Sequence, residues 1–357
     1  MVICAYSDDR WDLLSDAVAS VRNQTLPAHE VIIVVDHNER LQRRARAAFP
    51  SVHVVRNEQP RGLSGSRNAG VHHATGEVVV FLDDDARAEP NWLGALLAPY
   101  RRPEVMGTGG EIVPRWEAQP PQWLPPEFHW VVGCSYLGLP DEPREIRNPL
   151  GANMSFRRDV LARIDGFTPG IGRVDTVPLG CEETELAIRV RRETGGVVVY
   201  LPSARVEHFV PATRTTWRYF AARCWAEGRS KAQVTASVGR DDALSTERRY
   251  VTRTLPRGIV RSSVEVARGD PYGLTRAVAI VGGLGITAAG FATGRVGNFR
   301  TALRRGRRAA TPLPKGLNDL GRDRSQDMSD REIGKAAENE QHERMEREHK
   351  RRDQAGY

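Results

Sequence analysis

Short apolar runs alternate with helical patterns through the first 230 residues. Continuous apolar runs occupy 2–5, 31–35 and 52–55, and a further run, EVVVFL, occupies 77–82. Between the first two runs, apolar residues recur at helical spacing: Trp11, Leu14, Ala17, Val18 and Val21. Such runs are typical of parallel strands buried on both faces. Their alternation with helices predicts an α/β, Rossmann-like fold with a mostly parallel sheet flanked by helices.

Carboxylates follow two of these predicted strands. The run 31–35 ends at Asp36, and the run 77–82 is followed by Asp83, Asp84 and Asp85. Ligands of open α/β sheets bind beyond the carboxyl ends of the strands. Adjacent carboxylates repel one another, and a divalent cation relieves that repulsion while leaving positions for phosphate oxygens. The triplet therefore predicts a metal–diphosphate site, with a polar turn after a buried strand as the alternative.

Two further segments carry candidate chemistry. The segment RGLSGSRNAG, predicted as a loop leading into a helix, offers Arg61, Arg67 and Asn68 to an anionic ligand. The segment GCEETEL opens a predicted helix that closes near Gly195. Acidic residues in a first turn complement the helix dipole, but one of them is also suited to act as a general base. We assign that role first to Glu183 and second to Glu182.

The C-terminal third has a different charge balance. The 357-residue chain has a net charge of +7, and residues 240–310 carry 14 Lys and Arg against 5 Asp and Glu. Residues 277–294 form an uncharged run containing five glycines. This run is open to three interpretations: an interfacial or re-entrant segment, a membrane span, or a buried helix. The flanking arginines predict a membrane-surface partner rather than nucleic acid, because aromatics for base stacking are nearly absent there.

The same patterns predict three regions and a compartment. We expect a catalytic domain at 1–230, a basic helical, membrane-proximal segment at 231–310 and a charged, disordered tail at 311–357. The N-terminal residues lack the basic stretch and long apolar run of a secretory signal, and the four cysteines form no close pair. We therefore expect a cytoplasmic protein at the inner face of the cell membrane.

A proline-rich segment within the first region is unusually aromatic. It contains Trp116, Trp123, Phe128 and Trp130. Proline keeps such a segment extended, so its rings are suited either to contact a sugar or lipid headgroup or to pin the segment to its own core. The sequence leaves both interpretations open.

Seven motifs in order carry a family resemblance. VICAYS, VVD, GLSGSRNAG, FLDDDA, GANMSFRR, GCEETEL and RVEHFVP together resemble a family 2 glycosyltransferase with a GT-A fold, over about residues 1–230. The resemblance extends to enzymes that add a hexose or a uronic acid to polyprenyl- or dolichyl-linked intermediates. One departure is that the acidic pair, usually Glu-Asp, is Glu-Glu here.

The resemblance implies roles for particular residues. It implies that Asp36 holds the nucleotide, that Asp83 and Asp85 bind Mn²⁺ or Mg²⁺ and the diphosphate, and that Glu182 and Glu183 supply the base. Asp84 is expected at the ribose or sugar, and His208 near the metal. We further expect the Asn153 amide to bind donor hydroxyls, and Arg67 to neutralise the leaving diphosphate.

These implications predict an inverting, metal-dependent transferase. It would move a sugar from a nucleoside-diphosphate sugar, for which we expect UDP, to a hydroxyl of a lipid-linked or envelope glycan. A nucleotidyltransferase with a similar metal–diphosphate site and an inactive membrane-associated binding protein are the alternatives.

Overall fold

The computed structural model describes residues 1–172 and 179–309. The helices are α1 Trp11–Arg22, α2 Glu39–Ala48, α3 Leu63–His73, α4 Trp92–Leu97, α5 Arg158–Arg163, α6 Glu182–Thr194, α7 Trp217–Val238, α8 Arg240–Ala243, α9 Ser245–Arg249, α10 Leu255–Ala267 and α11 Tyr272–Ala309. The strands are β1 Val2–Ala5, β2 Ile32–Val35, β3 His53–Arg56, β4 Val78–Asp83, β5 Ala86–Ala88, β6 Val105–Trp116, β7 Arg144–Ile146, β8 Asn153–Arg157 and β9 Val197–Val210. A 3₁₀ turn covers Pro126–Val132, and a π turn, Tyr250–Thr254, joins α9 to α10.

The described strands form one sheet in the order β3-β2-β1-β4-β8-β6-β9-β5, with β7 paired to β9. The first four positions are parallel, as predicted. Beyond β4 the sheet is mixed, because β8 runs antiparallel to both β4 and β6, and β5 and β7 run antiparallel to β9. Among the described strands of this half only β6 and β9 pair in parallel, so the sheet is mixed rather than parallel throughout. The connection from β6 to β8 carries the proline-rich segment and a 3₁₀ turn instead of the crossover helix typical of parallel neighbours.

The N-terminal strands are buried on both faces. Ile3 of β1 and Ile33 of β2 belong to one apolar cluster, whereas their neighbours Val2 and Ile32 belong to a second. The first cluster also takes in α1 and α4, and the second takes in α5 and α6. This arrangement confirms the predicted α/β class and the double burial of the apolar runs.

Helix α3 begins inside the segment predicted to be a loop. It starts at Leu63, so Arg67 and Asn68 lie on a helix. A Cβ on Gly65 would lie 2.0 Å from the Pro60 carbonyl oxygen, and one on Gly70 would lie 2.4 Å from Val2. The glycines thus permit close packing of α3 on its surroundings, and the helix begins earlier than the loop prediction placed it.

The proline-rich aromatic segment is pinned to the protein. The Trp123 ring stacks on Trp217 of α7 with a centroid separation of 3.9 Å, and Phe128 is 1% exposed. Phe128 also packs against Phe220 of α7. These contacts support the core-pinning interpretation for Trp123 and Phe128, while Trp130 also lines the cavity described below.

Helix α11 packs one face against α7 and exposes the other. A Cβ on Gly228 of α7 would lie 2.1 Å from the Thr287 carbonyl oxygen, and one on Gly290 would lie 2.3 Å from the Trp225 carbonyl oxygen. Away from α7, large apolar side chains are exposed: Leu274 63%, Val278 57% and Val281 60%. By length and composition only, Tyr272–Val296 is able to cross a membrane, with a mean hydropathy of 1.6.

We expect Gly290→Ala to destabilise the protein by about 1–3 kcal/mol, because the added methyl group must displace the α7 backbone. The matched control is Gly282→Ala on the same helix, where a Cβ meets no atom within 4 Å. This control should be neutral or stabilising by up to about 1 kcal/mol. Urea unfolding of both variants measures the difference. Equal stabilities would contradict the close packing of α7 and α11.

The division into regions at 230 and 310 stays a prediction. Helix α7 continues across residue 230 without a break. The tail at 311–357 lies outside the described residues, as do residues 173–178.

Candidate functional site

A cavity of about 1220 Å³ opens beyond the carboxyl ends of the parallel strands. It brings together most of the residues singled out in the sequence: Asp36, Arg61, Arg67, Asp83, Asp84, Asp85, Glu182, Glu183 and His208. The cavity therefore lies where the ends of the parallel strands predict a ligand site. Two singled-out residues, Asn68 and Asn153, are not part of its lining.

Asp36 directly follows β2 and is already held in place. Its Oδ1 accepts a hydrogen bond from the Asn57 amide at 2.7 Å, and its Oδ2 accepts one from the Gly62 N–H at 3.0 Å. The His37 ring lies 2.8 Å from Oδ1. Each carboxylate oxygen has two lone pairs, so Asp36 keeps accepting capacity toward the cavity.

Asp84 and Asp85 share Arg10, a residue that the sequence did not single out. The Arg10 guanidinium lies 2.9 Å from Asp84 Oδ1 and also contacts Asp85 Oδ2. Burial raises the pKa of Asp84 to about 8, although Arg10 opposes the shift. Burial acts on the pKa of Asp85 in the same direction, but His208 and Arg10 hold that pKa well below its usual range.

His208 lies on β9 with its ring against Asp85. Its Nε2 is 3.3 Å from Asp85 Oδ1, and its side chain is buried. Burial lowers the pKa of His208, but the Asp85 carboxylate outweighs it and raises that pKa to about 10. Gly133 packs on the ring: a Cβ there would lie 3.0 Å from His208 Cε1, and its φ of +85° suits glycine.

The donor atoms around Asp85 suit a divalent cation. Carboxylate oxygens and an imidazole nitrogen are ligands that Mn²⁺ accepts, and Asp84 Oδ2 is buried with no hydrogen-bond partner among the described residues. Among the side chains that the structure describes, however, no three of His, Cys, Asp or Glu converge in a metal-binding arrangement. The ligand types present are therefore those that such an ion binds. Asp85 and His208, which contact each other, are two of these candidate ligands.

Arg67 joins the two acidic clusters. It is 1% exposed, and its guanidinium lies 2.8 Å from Glu182 Oε1 and 3.3 Å from Asp83 Oδ1. It also donates to the Gly151 carbonyl oxygen at 3.0 Å. Arg67 therefore fixes the start of α6 relative to the end of β4, with its charge already shared between two carboxylates.

The two glutamates at the start of α6 have different surroundings. Glu182 is buried and paired with Arg67, whereas Glu183 is half-buried at the cavity wall with the Thr184 hydroxyl 3.3 Å from its Oε1. Burial raises the pKa of Glu183 to about 8, and the negative charge of Glu182 adds to the shift. Cys181, at φ +70°, turns the chain into the helix. Glu183 is therefore the carboxylate suited to exchange a proton near neutral pH.

Neither asparagine singled out in the sequence faces the cavity. The Asn68 amide is bonded to the backbone N–H and carbonyl of Phe167, at 2.7 and 2.8 Å. Asn153 is fully buried: its Oδ1 accepts from the Trp92 indole at 2.8 Å, and its Nδ2 donates to the Glu111 and Ala204 carbonyl oxygens. Both amides are used to hold the fold. The expectation that they bind donor groups is therefore at odds with the structure.

Sequence patterns did not indicate a second network in the cavity wall, which is formed by the segment that follows β7 and by α7 and α9. Arg147 pairs with Glu247 at 2.6 Å, and Lys231 pairs with both Glu247 and Glu227. These ion pairs join residues up to 100 positions apart. No local motif signals such contacts.

Sequence comparisons connect this chain to known proteins. The family model described as Glycosyl transferase family 2 matches residues 1–165. The chain is 37% identical over 235 residues to a glucosyl-dolichyl phosphate glucuronosyltransferase of Haloferax volcanii, covering 65% of this chain and 75% of that protein. It is 28% identical over 233 residues to N-acetylgalactosaminyltransferase 7 of Drosophila melanogaster. That second match covers 58% of this chain and only 38% of the longer relative.

Two solved structures show a weaker similarity. A mannosyltransferase from Pyrobaculum calidifontis in complex with GDP-Man and Mn²⁺ matches with a TM-score of 0.49 and 15% identity, over 79% of this chain and 85% of that one. A structure of GalNAc-T7 with UDP, GalNAc and Mn²⁺ gives a TM-score of 0.45 and 16% identity, over 76% and 58%. The sequence matches, rather than these scores, establish the relationship.

Proposed function

Because this chain belongs to glycosyl transferase family 2, we propose that it transfers a sugar with inversion from a nucleoside-diphosphate sugar to a hydroxyl of a lipid-linked acceptor. The observation that carries this proposal is that acidic, basic and apolar side chains share one cavity. This cavity is lined by the carboxylates Asp36 and Asp83, by Glu183, and by basic and apolar side chains of α10 and α11 such as Arg257 and Leu284. A polar donor and an amphipathic acceptor would therefore meet at Glu183.

The acid–base roles follow from the contacts at the start of α6. Glu182 is occupied by Arg67, so Glu183 is the group that accepts the acceptor proton as its oxygen attacks the anomeric carbon. A single displacement with one general base inverts the anomeric centre. Arg67 keeps Glu182 and Asp83 in place instead of meeting the leaving diphosphate directly, which revises the role expected of it.

The donor end is organised by Asp36 and the start of α3. Asp36 accepts hydrogen bonds from the Gly62 N–H and the Asn57 amide. Its remaining lone pairs would accept hydrogen bonds from the base or ribose of the nucleotide. Arg61 lines the same end and adds positive charge near the expected diphosphate. We propose a UDP-sugar donor with a hexosyl or glucuronosyl group, which accords with the activity in the name of the Haloferax relative.

Asp83, Asp85 and His208 are the residues that would hold Mn²⁺ or Mg²⁺. When bound, such an ion supplies positive charge that stabilises the leaving diphosphate. Arg10 contacts Asp84 and Asp85, so it balances the charge of this acidic cluster. Asp84 is more deeply buried than Asp83 and is assigned to donor positioning.

The exposed face of α11 supports an interfacial interpretation of the apolar run. One face of α11 packs on α7 through glycines, while Leu274, Val278 and Val281 are exposed. Arginines flank this surface, and they favour the anionic cytoplasmic face of the cell membrane. Flotation with vesicles containing anionic lipid tests this: Leu274→Ser/Val281→Ser should stay soluble where the native protein floats, and equal flotation would contradict it.

Two measurements test the transfer itself. In a thermal-shift panel of UDP-, GDP- and dTDP-sugars with and without Mn²⁺, we expect a metal-dependent rise in Tm with UDP-sugars, because a ligand of the folded state stabilises it. Mass spectrometry then detects sugar transfer to isoprenyl phosphoglucose, and NMR assigns the anomeric configuration of the product. No shift with any donor in folded protein, or a product of retained configuration, would contradict the proposal.

A further inference from the structure

The cavity has a basic wall that forms no ion pair with the described carboxylates. Arg249 at the end of α9, Arg253 in the π turn and Arg257 in α10 all line the cavity, and all three are exposed. They are four residues apart, which places them along one side of the continuous helical segment. We call these three residues the arginine ladder.

Three other cations that line the cavity have carboxylate partners. Arg147 and Lys231 share Glu247, and Lys231 and Arg223 pair with Glu227. For the arginine ladder, by contrast, none of the carboxylates whose side chains the structure describes lies within 4.0 Å, although Asp141 and Glu145 line the same cavity. The wall thus presents three positive charges toward a cavity that also contains the candidate general base.

The arginine ladder is held on a rigid support. Tyr250, which opens the π turn, donates its hydroxyl to the Glu127 carbonyl oxygen at 2.7 Å and accepts from the Trp130 indole at 3.2 Å. Arg261 of α10 pairs with the buried Glu127 carboxylate at 3.0 Å. Ligand sites on such supported elements lose little entropy on binding, and π turns are frequent at functional sites.

An apolar surface continues from the arginine ladder. Leu255 of α10 and Leu284 and Phe291 of α11 line the same cavity. The outer side of α11 carries the exposed Val278 and Val281. An anionic group at the ladder would therefore have apolar surface beside it, which is the chemistry of a phosphate carried on a hydrocarbon chain.

We propose that Arg249, Arg253 and Arg257 bind the phosphate that joins the lipid chain of the acceptor to its glycan. This inference rests on the proposed function, because it assumes a lipid-linked acceptor. The donor diphosphate is the competing occupant. The arginine ladder is assigned to the acceptor because it shares its wall with the apolar residues of α11, whereas Asp36 and Arg61 lie at the strand ends.

The test compares the binding of three probes by isothermal titration calorimetry: farnesyl phosphate, farnesol and UDP. In Arg249→Gln/Arg253→Gln/Arg257→Gln, we expect the Kd for farnesyl phosphate to rise by about 50-fold, since charge-assisted hydrogen bonds are lost. The Kd values for farnesol and UDP should change less than about threefold. The matched control Arg248→Gln/Arg268→Gln/Arg295→Gln removes the same charge from exposed positions outside the cavity.

Each outcome separates the alternatives. An unchanged farnesyl phosphate affinity, or an equal loss in the control variant, would overturn the proposal. A loss of UDP affinity as large as that for farnesyl phosphate would assign the arginine ladder to the donor and also overturn it. Native protein that binds farnesyl phosphate through the ladder but transfers no sugar would contradict the proposed function and leave this inference supported.

Discussion

Replacing Glu183 by glutamine is expected to lower kcat by about 10³-fold, because the proposed proton acceptor is lost. Glutamine keeps the size of the side chain and its contact with the Thr184 hydroxyl. Donor affinity, measured by UDP titration, should stay within about twofold, since Glu183 is assigned to the acceptor. The control Glu193→Gln, at an exposed position of the same helix α6, should keep full activity.

The pH dependence gives Glu183 a second signature. Its pKa is raised to about 8, so only about a tenth of the free enzyme carries the ionised base at pH 7. The native kcat/KM should therefore rise close to tenfold per unit below pH 8 and level off above it. The residual activity of Glu183→Gln should lack this rise. A profile that is flat from pH 6 to 9 in the native enzyme would contradict the assignment.

Stability distinguishes Glu183 from its neighbour. The pKa of Glu183 is higher in the folded protein than its usual value near 4.5, so this residue makes the fold less stable as pH rises from about 4.5 to 8. In Glu183→Gln, this residue should no longer lower the stability as the pH rises. Glu182→Gln should instead destabilise the protein by about 3 kcal/mol, because it removes the negative charge closest to the buried Arg67.

Local sequence features predicted the strands and the candidate carboxylates well. The apolar runs became β1 to β4, and Asp36 and Asp83 lie where strand ends place ligand-binding groups. These predictions succeeded because both features appear within a few residues of sequence. A strand buried on both faces is a continuous apolar run, and the turn that follows it begins with polar residues. The pair Glu182 and Glu183 was located from a similar local pattern, at the start of α6.

Contacts between distant residues could not be predicted in this way. Arg67 meets Glu182 across 115 positions, and Arg10 reaches Asp84 and Asp85 from the turn after β1. Asn153 shows the converse error: its position suggested a donor ligand, yet the mixed half of the sheet buries its amide between β6 and β9. The partner of a polar side chain depends on tertiary packing, which a linear motif does not encode.

Replacing Asp85 is expected to have an effect as large as replacing Glu183, for a different reason. Asp85 is the carboxylate that contacts both Arg10 and His208, and it is a proposed metal ligand. Losing several kcal/mol of charge stabilisation at the diphosphate corresponds to a fall in turnover of about 10³-fold. Asp85→Asn keeps the shape of the side chain, and Asp85→Ala removes it. Both variants should lose this turnover.

A binding readout distinguishes loss of the ion from loss of the fold. With native protein, Mn²⁺ should enhance the stabilisation by UDP in a thermal melt, whereas with Asp85→Asn the melting temperature with UDP should be the same with and without Mn²⁺. The control Asp12→Asn, at an exposed position of α1, should behave like the native protein. Since the Asp85 charge also balances Arg10 and His208, the melting temperature of the ligand-free variant measures that structural contribution separately. Unchanged turnover in Asp85→Ala would rule out Asp85 as a metal ligand, because no other described carboxylate contacts His208.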